Sequence, residues 1–136
     1  MTTKKNYYIC LRFYGRPKIH LTLRYMKNLT PAALVELLEK VEAIVKPHLK
    51  NGSFWTKFVM EAWYGSGHTV RCLEPEPTKH TNEWPEWVKE LTRLEGGDTT
   101  YSWSPHVKCQ DNKFELPVTA VSVMCKKVEI ARWDLS

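Results

Sequence analysis

The chain is 136 residues long, 43% hydrophobic and 26% charged, which excludes a disordered polypeptide and supplies enough apolar mass for one domain, residues 1–136, with its own core. No apolar run approaches a membrane span, and the opening MTTKKNYY lacks the cleavage pattern of a secretory leader, so neither membrane insertion nor export is expected. The net charge of +5 is small for a protein that coats long nucleic acid, but it is unevenly spread: residues 1–28 hold Lys4, Lys5, Arg12, Arg16, Lys18, Arg24 and Lys27 and no acid, while residues 74–98 hold seven acids against three bases. A basic end beside an acidic flank suits a small anionic ligand held locally.

YYICLRFYG alternates, with Tyr7, Ile9, Leu11 and Phe13 on one side and Tyr8, Cys10, Arg12 and Tyr14 on the other, which predicts a strand. Gly15, Arg16 and Pro17 predict a turn into a second strand, KIHLTLRYM. Its apolar face is Ile19, Leu21, Leu23 and Tyr25, and its polar face is His20, Thr22 and Arg24. The period then changes. Thr30 followed by Pro31 reads as a helix cap and first helical position, and Leu34, Leu37, Leu38, Val41, Ile44 and Val45 recur at helical spacing until Pro47. Phe54 to Tyr64 reads as strand, and GSGH at 65–68 turns it back into TVRCL as a hairpin.

The proline- and charge-rich stretch 74–82 predicts a loop, and Trp84, Trp87, Val88, Leu91 and Leu94 predict a second amphipathic helix with Pro85 in its first turn and Gly96-Gly97 as its stop. YSWSPHVKCQ is a strand candidate entered through Pro105, with His106 and Lys108 on one face and Val107 and Cys109 on the other. VTAVSVMC and KVEIARW predict a closing antiparallel pair. Strands interrupted by segregated helices, roughly repeated in two halves, mean an α+β fold. The cysteines Cys10, Cys72, Cys109 and Cys125 are scattered through apolar runs without paired spacing, so reduced core thiols and a cytoplasmic setting are expected.

Two histidines, His20 and His106, thus occupy comparable positions in the two halves, each on the face opposite the apolar one. If their strands are neighbours, both imidazoles look into one groove. That pairing suits phosphodiester chemistry: one imidazole takes a proton from an attacking hydroxyl while the other gives one to the leaving oxygen. Thr22 can donate to a non-bridging phosphate oxygen, Lys108 can hold developing charge, and Arg24 shares the predicted His20 face. Arg24 reads equally as a solvated surface base. His20, His48, His68, His80 and His106 form neither an HExxH nor a Cys/His cluster, so no metal site is expected. No G-x-S-x-G elbow, GxGxxG turn or Walker loop occurs, which argues against a serine hydrolase and against a nucleotide cofactor. Trp55, Trp63, Tyr64, Tyr101 and Trp103 are candidates for stacking a base, and Tyr64 and Arg71, flanking the hairpin turn, for a base and a phosphate contact.

HLTL at His20–Leu23, followed by RYMKNLTPAALVELL, and PHVKC at 105–109, followed by FELPVTAVSVM, resemble the paired motifs of the two-histidine phosphoesterase superfamily, which includes LigT-like RNA ligases and cyclic phosphodiesterases. The resemblance runs in order along nearly the whole chain. It implies a bilobed, pseudo-symmetric fold in which two mostly antiparallel sheets form a groove with helices outside. It also implies metal-independent, cofactor-free cleavage of a 2′,3′-cyclic, 2′,5′-linked or cyclic oligonucleotide substrate. His20, Thr22 and His106 fall on the motif's functional positions. Lys108 stands where the family has serine or threonine; it departs from the pattern, and a noncatalytic nucleotide- or RNA-binding protein on the same fold is the alternative that departure raises. Phage enzymes that hydrolyse cyclic oligonucleotides against signalling-based immunity look similar in their paired motifs, which would mean a host cytoplasm. The expected partner is a small nucleotide or short oligonucleotide, with no membrane, bound by a monomer.

Overall fold

The computed structural model describes residues 3–75, 84–96 and 105–136. Its strands form two sheets. The larger contains β1 (Lys5–Phe13), β2 (Arg16–Leu29), β3 (Phe54–Phe58), β7 (Phe114–Cys125) and β8 (Val128–Asp134), in the order β2-β1-β7-β3 with β8 also paired to β7. The smaller contains β4 (Met60–Tyr64), β5 (Val70–Glu74) and β6 (Val107–Lys108), in the order β4-β5-β6. All pairings are antiparallel. The edge strands β2 and β6 lie against each other, so the seam between the sheets runs past both histidines.

One face of the larger sheet is the core. Tyr7, Ile9, Leu11 and Phe13 of β1 and Ile19, Leu21 and Leu23 of β2 are buried, as the alternation in each strand predicts. Helix α1 (Pro31–Val45) covers this face with Leu37, Val41 and Val45, and helix α2 (Glu86–Thr92) adds Trp87, Val88 and Leu91, with Trp84 buried just ahead of it. Thr30 is the N-cap of α1 and its hydroxyl accepts from the Ala33 amide at 3.1 Å, with Pro31 at the first helical position. Thr30→Ala leaves that amide without its acceptor and is expected to destabilise the protein by about 1 kcal/mol, read as a lowered urea midpoint at unchanged slope.

Among the described residues no helix is long and apolar enough to cross a membrane. All four cysteines are free thiols; Cys10, Cys72 and Cys109 are buried, and burial pushes the Cys10 thiol up to about 12 and the Cys72 thiol upward too. Neither is a nucleophile near neutral pH.

Three expectations change. Phe54 to Tyr64 is not one strand: it crosses from one sheet to the other at Val59, whose amide donates to the Glu74 carbonyl at 3.0 Å. The second histidine strand shrinks to Val107–Lys108, with His106 just ahead of it and residues 101–104 outside the described ones. The third change lies within β2. Thr22 pairs with Cys10, but Arg24 pairs with Ile9, so one extra residue enters β2 at Leu23. A single inserted residue reverses which face every later side chain takes. Met26, not Tyr25, therefore enters the core, at 1% exposure, while Tyr25 pairs with Tyr8 on the opposite face.

Candidate active site

The polar face of the larger sheet is built from alternate residues of adjacent strands. In β1 these are Tyr8, Cys10 and Arg12, and across from them in β2 stand Tyr25, Thr22 and His20. His20 pairs with Arg12 in register, and its imidazole lies 5.3 Å from the Tyr8 ring, tilted by 30°. The Tyr8 hydroxyl donates to the Lys126 carbonyl at 2.7 Å, which fixes the ring that His20 rests on.

The smaller sheet contributes the other half. Tyr64, Glu74, His106 and Lys108 belong to one face of β4, β5 and β6 by the period of two. The His106 and Tyr64 rings stack at 4.0 Å, 13° from parallel, and the Tyr64 hydroxyl donates to the Glu74 carboxylate. Tyr64 is thereby held at its far end while its face sets the plane of His106. Lys108 is exposed on the same side, in register with Cys72.

His20 holds its proton less readily than an ordinary imidazole. Burial is the main cause, followed by the charges of Arg12 and then His106. The last contribution means that the two histidines share an electrostatic neighbourhood across the seam. Arg12 is well placed to act on that site. Its guanidinium donates to the Pro17 carbonyl at 2.5 Å and to the Met124 sulfur at 3.7 Å, and among the described residues it has no carboxylate partner.

The sign of the His20 shift gives a stability test. Its folded-state pKa lies below the unfolded value of 6.5, so the unfolded chain binds the proton more tightly. The stabilisation is complete above that value and is lost as pH falls through the folded-state pKa. Replacing Arg12 with glutamine removes one of the opposing charges, so the His20 titration followed by its ring-proton resonance is expected to move upward. It should stay below the ordinary imidazole value because burial remains. An unchanged or lowered titration would contradict the Arg12 contribution.

The other sequence candidates are placed as follows. Thr22 is half-buried next to His20 on the same face, opposite Cys10. Arg24 does not share that face: the extra residue in β2 turns it toward the helices, where its Nε donates to the Leu94 carbonyl at 3.2 Å beyond α2. Arg71 belongs to the face of its sheet opposite Tyr64. It donates to the Glu61 carboxylate at 2.8 Å and to the carbonyls of Cys109 and Asp111 at 3.1 and 2.9 Å, clamping the segment after β6. Trp55 and Trp63 are exposed, the latter bonded to Glu61 at 3.2 Å. Trp103 and Tyr101 lie outside the described residues. Among the described residues no three histidines, cysteines or acids form a cluster suited to a metal ion.

Arg12, Tyr8 and Glu74 are the site residues the sequence did not single out. Arg12 was hidden because the register slips between Phe13, paired with Arg16, and Arg12, paired with His20. Counting back from the turn would have set Arg12 opposite Pro17.

No family model matches the sequence, and no curated protein matches it. Solved structures do match in shape. A phosphoesterase superposes with a TM-score of 0.60 at 10% identity, covering 98% of this chain and 99% of its own. E. coli LigT in complex with 3′-AMP gives 0.60 at 9% identity, over 98% and 99% of the two chains, and the same protein with phosphate gives 0.59 at 10% over 98% of each. Two sheets meeting at a seam, with helices on the outside, are thus the fold of the LigT-like phosphoesterases.

Proposed function

We propose that this protein is a metal-independent phosphodiesterase acting on a small nucleotide or oligonucleotide, with His20 and His106 as its acid–base pair. The observation that supports this reading is that the strand of His20 and the strand that follows His106 lie against each other, and that each imidazole packs on a tyrosine whose own hydroxyl is tied down. Two preoriented imidazoles, one favoured in its neutral form, are what in-line proton transfer at a phosphate needs.

On a linear substrate, neutral His20 accepts the proton of the free ribose hydroxyl beside the linkage, the 2′-hydroxyl of a 3′,5′ linkage or the 3′-hydroxyl of a 2′,5′ one, as that oxygen attacks the neighbouring phosphorus. His106, protonated, gives its proton to the departing 5′-oxygen as the phosphorus–oxygen bond breaks. The products are a 2′,3′-cyclic phosphate and a free 5′-hydroxyl, with one proton moved from each side and none consumed. On a 2′,3′-cyclic phosphate, water replaces the ribose hydroxyl as nucleophile, and the proton from the acid goes to the ribose oxygen that leaves phosphorus. The Thr22 hydroxyl donates to a non-bridging oxygen, and Lys108 and Arg12 offset the charge that gathers on phosphorus's oxygens. Tyr64 is a positioning residue, acting through His106.

Lys108 also favours a second reading, a nucleotide-binding protein that turns over little, because a long exposed ammonium holds an anion without the compact geometry of a hydroxyl. Incubating the protein in excess EDTA with 2′,3′-cyclic nucleotides, 2′,5′-oligoadenylates and cyclic di- and trinucleotides separates the two. Product from any of them supports the enzyme. Binding by calorimetry with no product supports the binder, and turnover that requires an added divalent metal contradicts the proposed chemistry.

A further inference from the structure

Arg12 and Tyr8 stand at opposite ends of the polar β1 face, and Tyr8 leads away from His20 into a second space. A cavity of 610 Å³ opens where β1, β2 and the β7–β8 turn converge; Tyr8, Tyr25, Val128 and Ile130 give it aromatic and aliphatic walls. Val128 and Ile130 are 62% and 40% exposed, an unusual placement for branched aliphatics on an open strand. Lys4, Lys5 and Lys126 line the same cavity and no acid does. Its walls are also braced: Tyr8 is bonded to the Lys126 carbonyl at 2.7 Å, and the Asn28 amide donates to the Asn6 side chain at 2.9 Å.

An apolar cleft with aromatic walls and cations around it has the chemistry of a site for a base joined to a phosphate. Its volume falls within the usual range for small-ligand sites. Lipid would match the alkyl walls but not a space shared with the His20-bearing ring, and a protein strand would need the acidic surface that the three lysines select. Continuity decides the occupant. Because Tyr8 is both the platform under His20 and a wall of the cavity, a ligand there adjoins whatever is bound at the histidines.

We propose that this cavity binds the nucleotide adjoining the scissile linkage, so that the preferred substrate has at least two nucleotides, linear or cyclic, rather than being a mononucleoside cyclic phosphate. The inference rests on the reading of His20 and His106 as the reacting site, but its test does not require turnover. The base lies against Tyr25, Val128 and Ile130, and its phosphate lies near Lys5 and Lys126. The reversal of face in β2 is what brings Tyr25 to this wall.

Calorimetry on His106→Ala protein with a dinucleotide and with a 2′,3′-cyclic mononucleotide measures the site directly. The dinucleotide is expected to bind about tenfold tighter or more, and both the Lys5→Gln/Lys126→Asn pair and the separate Ile130→Glu change should erase that difference while leaving mononucleotide affinity unchanged. Asparagine suits position 126, where φ is 55°. Equal affinity for the two ligands, or a difference that survives both changes, overturns the proposal. Lysine-dependent dinucleotide binding without cleavage by the unaltered protein upholds the cavity and refutes the catalytic reading instead. Cleavage of the dinucleotide at a rate indifferent to both changes upholds the catalytic reading and refutes the cavity. Self-association that disappears in Ile130→Glu, with no nucleotide preference, would assign the surface to a second copy and also overturn the proposal.

Discussion

Replacing His20 or His106 with alanine is expected to lower kcat/KM by about 10²-fold or more on whichever substrate the protein cleaves in EDTA. The two losses have separate causes. Without His20 the attacking oxygen keeps its proton, and without His106 the leaving oxygen departs as an alkoxide. Because the two act on one transition state, the double change should cost much less than the product of the single losses. Both side chains lie on the half-buried polar faces rather than in the core, so folding should survive, which far-ultraviolet circular dichroism and a urea titration can check. Tyr64→Leu offers a finer test of positioning: it removes the surface that sets the His106 plane, and should lower kcat more than it raises KM. A single histidine variant that kept more than a tenth of the activity would remove that residue from the proton transfer.

The second large effect lies at the joint between the sheets. Phe58 is the last residue of β3, fully buried, with its ring edge-on to Phe13 at 6.1 Å and 87°. The chain then passes through Val59 into the other sheet, so this packing anchors the crossing that brings Tyr64 to the seam. Phe58→Ala removes the whole phenyl ring from a close-packed site and is expected to cost about 3–5 kcal/mol in urea denaturation. That is a large share of the total stability of a domain this size. Phe58→Leu should recover much of it. A loss below about 1 kcal/mol for the alanine change would mean that the site collapses to fill the space and does not hold the joint.

The two sheets were legible in parts and their relation was not. Periodicity located β1, β2 and both helices, each with one apolar face, while glycine-rich composition located the Gly65–His68 turn and apolar, β-branched runs located the β7–β8 pair. The Thr30-Pro31 cap is the clearest case: a hydroxyl and a fixed φ act within one turn, so neighbours in sequence suffice. What failed was register. No glycine or proline marks the crossing at Val59, and the extra residue at Leu23 leaves no compositional trace, since leucine there remains buried in either arrangement. That one residue reassigned Arg24 to the helix layer and Tyr25 to the cavity. Alternation also hides a central strand: Cys10 and Ser122 are buried on the nominally polar face because β1 and β7 lie within the sheet. The histidines themselves were visible as a motif, but the stacking of His106 on Tyr64 depends on how β4, β5 and β6 pack, which spacing along the chain does not encode.

The most direct test of the acid–base pair is the pH dependence of kcat/KM, measured under conditions where chemistry limits the rate, for the unaltered protein and for each histidine variant. A bell-shaped profile is expected, with two macroscopic ionisations, since one imidazole must be neutral and the other protonated. Burial and Arg12 favour neutral His20, so the acid limb should lie below the ordinary imidazole value. Each alanine variant should lose one limb. A rate that stays flat between about pH 5 and 9 with both histidines present would contradict their acid–base roles, even if phosphodiester cleavage itself were observed.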